Sequence, residues 1–200
     1  MLAGARRSLL RLLSVAVMLL VAVPLPAHGE HADESWTGAT AQSRSDDASL
    51  HALVAAMINE LRNRVAACDD PRRAGAAAAL RPLAATGRPA LRANRRLAAA
   101  AEHQARMMAA SSRVAHRSMD GSTVRERSLQ AGYHWRVIGE NLAAGQRSIA
   151  EVLAQWLASA SHCDNLLDER FTEFGVARAS SPDGANPQRI YWALVMGMPK

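Results

Sequence analysis

Apolar residues recur along the chain in three helical stripes and then switch to shorter, denser runs toward the C-terminus. Leu50, Leu53, Val54, Met57, Ile58, Leu61 and Val65 share one helical face, which starts at Asp47 or Ser49 and ends near Asp70-Pro71. A second stripe, Leu97, Ala101, Ala105 and Met108, follows Asn94, whose side-chain oxygen suits the free N–H groups of a helix start. Alanines in that stripe let another element come close. The third stripe is Ile149, Val152, Leu153, Trp156 and Leu157, behind a Ser148/Glu151 capping box. Thr123 and Glu126 form another capping box, for a short helix that Gly132 stops. Helical character fades over 159–163. Residues 174–179 and 190–196 then read as an antiparallel hairpin with a long loop, 181–187, and 137–143 is a candidate third strand. Helices laid on a small sheet give an α+β fold. Residues 30–47 are polar and aperiodic, which reads as a flexible leader, and 71–90 as a loop, so the folded domain spans 48–200.

A different pattern stands ahead of the domain. Arg6 and Arg7 precede the apolar run 12–23, too short to span a bilayer comfortably, and Pro24 and Pro26 close it. Ala27-His28-Gly29 then sets small residues before a cut at Glu30. Residues 1–29 read as a signal peptide, which places the mature chain in the periplasm or outside the cell, with no transmembrane segment after cleavage. An uncleaved membrane anchor is the alternative.

Removing 1–29 changes the charge. The formal +6 includes Arg6, Arg7 and Arg11 and no acid from that stretch, which leaves 21 basic against 18 acidic residues, about +3. No basic run interleaved with aromatics occurs, so nucleic acid is not an expected partner. Export also changes the reading of Cys68 and Cys163. Two cysteines in an oxidising compartment usually pair, closing a loop of about 96 residues and contributing on the order of 4–5 kcal/mol by chain entropy. Two free thiols is the alternative.

Glu140 is the chemical oddity of the chain, a carboxylate inside the apolar or small run 137–145. A buried carboxylate must be neutralised, hydrogen-bonded or paired. His116 and His162 flank it at similar sequence distances. Two imidazoles and a carboxylate suit Zn²⁺ or another divalent cation, or a general acid/base pair with an orienting carboxylate. They equally suit a satisfied polar network joining three segments. No nucleophile elbow, zincin helix, phosphate loop or dinucleotide fingerprint occurs. Ser159 and Ser161, beside His162 without a third partner, read as cap or loop residues. His51 and His103 lie off the apolar stripes and are expected on solvated faces.

The order of the motifs adds a family. His116, Asp120-Gly121-Ser122, Arg127, Ala131-Gly132-Tyr133 and Gly139-Glu140-Asn141-Leu142-Ala143 resemble the CAP superfamily. These are the cysteine-rich secretory, antigen 5 and pathogenesis-related-1 proteins, also called SCP-like. The resemblance continues through Trp156, His162-Cys163-Asp164-Asn165, Phe174-Gly175-Val176 and Tyr191-Trp192, and covers roughly residues 50–198. It implies an α-β-α sandwich, with helices on both sides of a small antiparallel sheet. It also implies a surface cleft of two histidines and two acids that binds divalent metal in some members. His116, Glu140 and His162 match three of the four. The fourth falls on Ser159, a departure that lowers the charge of the site and weakens its hold on a metal. In the bacterial branch the cysteine after the histidine is expected to bridge to the first helix, in agreement with a Cys68–Cys163 pair.

The resemblance carries no common catalytic mechanism, and three readings follow. The leading one is a secreted binding module whose cleft takes a small or lipid-like ligand, with Zn²⁺ or another divalent cation as candidate cofactor. The second is a hydrolase acting on peptide or cell-envelope material, with His116 or His162 as base. The third is a structural or interaction domain of the envelope. The absent nucleophile motif and missing acid favour binding over catalysis.

Overall fold

The computed structural model describes residues 34–65, 67–68, 86–181 and 189–200. The expected signal peptide and most of the two expected loops, 71–85 and 182–187, lie outside them. The elements run α1 (Glu34–Arg64), β1 (Arg92–Ala93), α2 (Arg95–Ser111), α3 (Val124–Gln130) and β2 (Trp135–Ala144). There follow α4 (Ile149–Ala158), α5 (Ala160–Leu167), β3 (Glu173–Ser180) and β4 (Ile190–Pro199). The sheet order is β1-β3-β4-β2, with β4 antiparallel to both of its neighbours. The sheet is mixed and not purely antiparallel, because β1 pairs parallel to β3 through Arg92↔Glu173 and Ala93↔Phe174. A strand so short has no periodicity to read.

Alternation along the central strand makes the layers, since successive side chains point to opposite faces. Trp192, Leu194 and Met196 join Val54, Ile58, Val152, Leu153, Trp156 and Leu166, so α1, α4 and α5 cover one face. Tyr191, Ala193 and Val195 join Leu97, Ala101, Ala105 and Met108 of α2 on the other. This is the α-β-α sandwich. The alanine stripe of α2 does what its small residues allow. At Gly175 on β3, a Cβ would lie 2.0 Å from the Ala98 backbone nitrogen, so α2 rests directly on the strand.

The first helix begins at Glu34, within the segment expected as a flexible leader, and ends at Arg64. An apolar stripe marks only the part of a helix that packs, and residues 46–49 are exposed. The third stripe does not simply fade at 159–163. Ser159 adopts an extended conformation (φ −107°, ψ 122°), and the helix restarts as α5, with the Cys163 N–H bonded to the Ser159 carbonyl at 2.9 Å. Cys68 and Cys163 are disulfide-bonded, with Cα atoms 5.7 Å apart, tying the chain after α1 to α5. Nearby, buried Arg62 donates to the carbonyls of Leu166 (2.8 Å), Asp168 (3.0 Å) and Pro89 (3.0 Å). Burial, with the neighbouring Arg88, pulls its pKa down.

Side chains close the sheet edges. On β2 the Glu140 and Leu142 carbonyls accept from Asn165 Nδ2 (3.3 Å) and Trp156 Nε1 (2.9 Å). On β3 the Val176 N–H donates to His51 Nε2 at 3.3 Å, while His51 Nδ1–H bonds the Asp47 carbonyl at 2.7 Å. His51 is thus half-buried against Phe174 and not on a solvated face, because its helix lies along a strand edge that has a free N–H to satisfy. Among the described residues no helix is long and apolar enough to cross a membrane.

Candidate functional site

Gly139, Glu140 and Asn141 sit in the middle of the edge strand β2 and send their substituents to alternating faces. At Gly139 a Cβ would collide with Phe171 at 2.7 Å, so glycine lets that ring lie under the strand. Asn141, fully buried on the α5 side, donates to the His162 carbonyl at 2.9 Å and accepts from Asn165 Nδ2 at 3.0 Å. Glu140 turns to the opposite face, toward α3.

There its carboxylate is fully engaged. The side chain is 2% exposed, Oε1 accepts from His116 Nδ1 at 2.8 Å, and Oε2 accepts from Arg127 Nη2. Arg127 is itself buried and holds the preceding loop, donating through Nη1 to Ser118 Oγ (2.9 Å) and the Ser122 carbonyl (2.8 Å). Ser118 Oγ donates to Gln104 Oε1, and Gln104 Nε2 donates to the Ala115 carbonyl, so α2 is part of the same network. Local capping fixes the approach of α3. The Glu126 carboxylate accepts from the Thr123 N–H (2.6 Å) and hydroxyl (2.9 Å), and Asp120 Oδ1 accepts from the Ser122 N–H (2.9 Å). Arg127 follows the cap by one turn. Sequence reasoning quoted Arg127 only as part of a motif. Asking which cation neutralises a buried glutamate would have found it.

The two histidines differ. His116 has 64% of its side chain exposed, and its bond to Glu140 raises its pKa above the usual imidazole value, against opposing effects of burial and Arg127. His162 is half-buried on α5, and burial, then the charge of His116, lowers its pKa. Its Nδ1 is buried with no hydrogen-bond partner among the described residues. The cleft therefore holds one imidazole whose protonated form is favoured and one whose neutral form is favoured, the latter with a polar atom unused among the described residues. Glu140 touches His116 directly. His162 is joined to the same strand through its backbone carbonyl, which accepts from Asn141. Ser159 is partly exposed at the α4–α5 break, where its backbone caps both helices.

A family model described as "CAP: Cysteine-rich secretory protein family" matches residues 55–196. The chain belongs to the CAP family. Among proteins similar to this CAP chain is "Uncharacterized protein YkwD" of Bacillus subtilis, 38% identical over 50 residues, which are 25% of this chain and 20% of that one. An outer surface protein from Borrelia burgdorferi shares the fold, with a TM-score of 0.55 and 19% identity over 74% of this chain and 91% of that one. An extracellular protein containing a SCP domain from Bacillus anthracis also shares it, with a TM-score of 0.50 and 22% identity. That match covers 70% of this chain and 39% of the other, so the chain spans well under half of that relative and a fifth of YkwD.

The metal centre that CAP membership suggests does not fit these residues. Among the described residues no group of three or more His, Cys, Asp or Glu is placed to hold a metal ion. Both Glu140 oxygens are committed, one of them to a guanidinium whose charge opposes a cation. Two imidazoles without that carboxylate fall short of the three protein ligands a catalytic zinc needs.

Proposed function

We propose that this CAP protein is exported and acts as a non-catalytic binding module. Its cleft, where His116 and His162 flank β2, takes a small or lipid-like ligand through an anionic or hydrogen-bond-accepting group. The observation that carries this reading is the state of Glu140. With Arg127 on one oxygen and His116 on the other, both of its oxygens are engaged, and its bond favours the protonated, hydrogen-bond-donating form of exposed His116. Export is supported by the 1–29 pattern and by a disulfide, which an oxidising compartment sustains.

The test uses the mature chain from Glu30 with His116→Ala and His162→Ala variants. Inorganic phosphate and acetate, as minimal anionic groups, should raise the melting temperature more at pH 6 than at pH 8, and His116→Ala should abolish the difference. Calorimetry with Zn²⁺ should show no saturable, histidine-dependent uptake at micromolar metal. Histidine-dependent cleavage of an envelope peptide would overturn the binding reading in favour of a hydrolase. Recovery of the intact chain, with 1–29 attached, from the cytoplasm of a bacterial host would overturn export.

A further inference from the structure

Side chains close only half of the outer edge of β2. The Gly145 N–H bonds the Ile190 carbonyl at 2.9 Å, and Glu140 stands opposite Val195. Backbone groups alternate along an antiparallel strand, so those of residues 139, 141 and 143 face β4 and those of Ile138, Glu140 and Leu142 face outward. In the second half the outward carbonyls are in use, Glu140 by Asn165 Nδ2 and Leu142 by Trp156 Nε1. The Ile138 N–H, the Ile138 carbonyl and the Glu140 N–H have no partner among the described residues. Exposure follows the same divide. Residues 140–143 are buried, whereas Val137, Ile138 and Gly139 are partly exposed and Arg136 is exposed. Unmet backbone groups on a partly exposed edge form a template for one more strand.

The free groups select the kind of strand. In a parallel strand, the residue opposite Gly139 gives its N–H to the Ile138 carbonyl and its own carbonyl to the Glu140 N–H. The carbonyl two residues earlier then takes the Ile138 N–H. Those are the three free groups. An antiparallel strand that reaches residue 140 also calls on the Glu140 carbonyl, which Asn165 holds, and two copies of this chain about a two-fold axis would meet in that way. Side chains of the added strand alternate between faces. The one opposite Ile138 lies beside a half-buried apolar side chain, and the one opposite Glu140 lies on the face of His116, which is 64% exposed. Glu140 brings no free negative charge, since Arg127 pairs with it. Exposed Arg136 and Arg125, the latter over the Trp135 ring at 5.6 Å, form no ion pair with a carboxylate among the described residues. Basic groups around an open edge complement an acidic segment.

We propose that the open half of β2 docks an extended acidic peptide as a parallel fifth strand, with an apolar residue beside Ile138 and an acid beside His116. The backbone contacts stand apart from the cleft reading above, and only the acid beside His116 rests on it. The probe is acetyl-Glu-Thr-Val-Thr-Glu-Thr-amide, titrated into the isotope-labelled mature chain and followed by NMR. Saturable shifts should centre on the Ile138 and Glu140 amides. Methylating the amide nitrogen of the peptide's fourth residue, which faces β2, should weaken binding at least tenfold. Methylating that of the fifth residue, which faces away, should change it less than threefold. Lysine in place of both glutamates should cost at least tenfold. In the protein, Ile138→Pro removes an outward N–H that takes no part in the β2–β4 ladder, a position where an edge strand tolerates proline, and should also cost at least tenfold, with circular dichroism checking the fold. A chain that tells the two methylated peptides apart but ignores acetate and phosphate keeps the docking strand and loses the cleft reading. Equal effects of the two methylations, equal binding of the lysine peptide, or shifts centred away from β2 would each overturn the proposal, as would a dimer joined through β2 in the absence of peptide.

Discussion

Arg127→Met isolates the buried ion pair at the centre of the site. The substitution keeps an apolar stem of similar length and removes the guanidinium, leaving Glu140, with 2% of its side chain exposed, only His116 as partner. Arg127 makes a charged hydrogen bond to Glu140 and further bonds to Ser118 Oγ and the Ser122 carbonyl. A hydrogen bond to a charged group contributes about 1.5–3 kcal/mol and a neutral one about 1 kcal/mol. Breaking a buried pair from one side costs about 3–5 kcal/mol, because the remaining charge stays buried. The two routes agree on about 3–5 kcal/mol, a large part of the 5–15 kcal/mol typical of a domain. Urea unfolding at pH 7, with the disulfide intact and followed by tryptophan fluorescence, measures it, and a melting temperature lower by roughly 6–20 °C should accompany it. Glu140→Met should cost a similar amount, since it strands Arg127. The double variant should be destabilised by less than the sum of the singles, by more than about 2 kcal/mol, because both charges are gone. A cost under about 1 kcal/mol for Arg127→Met, or additivity within about 0.5 kcal/mol, would refute the view of Glu140 as a carboxylate held by Arg127.

The histidines should titrate apart in NMR spectra, His116 with a midpoint above the ordinary imidazole value of about 6.5 and His162 below it; the reverse order would be decisive against the assigned partners. The signs oppose. The small share of stability from exposed His116 is present below its unfolded pKa and is lost as pH rises through the higher folded value. For His162 stability is full above the unfolded pKa and declines as pH falls toward the lower folded one. Gly175→Ala should cost at least about 1–3 kcal/mol, since its Cβ would lie 2.0 Å from the backbone of α2. Gly121→Ala, with open space but φ +82°, should cost only about 1–2 kcal/mol of left-handed strain, and the reverse ranking in urea would show that α2 does not rest on β3. Reducing Cys68–Cys163 should destabilise the protein by up to about 4–5 kcal/mol and add the mass of two hydrogens; an unchanged intact mass would mean that the bridge is absent.

The parts that were legible in the sequence were those governed by periodicity and capping. The α2 stripe buries its expected residues, the α4 stripe buries all but half-buried Leu157, and Asn94 caps α2 by accepting from the Arg96 and Leu97 N–H groups. The 137–143 run is a strand, lengthened to Trp135–Ala144. The motif order placed Glu140 beside His116, and the cysteine count placed the bridge. What periodicity missed was set by partners far away in sequence. Arg127 and Arg62 look like ordinary surface arginines until a buried carboxylate or a row of helix-end carbonyls takes them inside. His51 looked solvated because a helical wheel does not show an adjacent strand edge. Nor do three residues in a plausible order reveal that a fourth, Arg127, already bonds the Glu140 carboxylate.

The clamp between α1 and α5 bears on how the chain is made. Arg62 finds the Leu166 carbonyl 104 positions later, and Cys68 finds its partner 95 positions later. The first helix thus has no complete docking surface until nearly the whole domain has been synthesised. Such non-local closure slows folding, because the loop must be ordered before the contacts that stabilise it can form. For a chain threaded through a membrane N-terminus first, that delay is useful. If the chain is exported as proposed above, the part that crosses early has nothing to fold against until the segment bearing Cys163 has emerged.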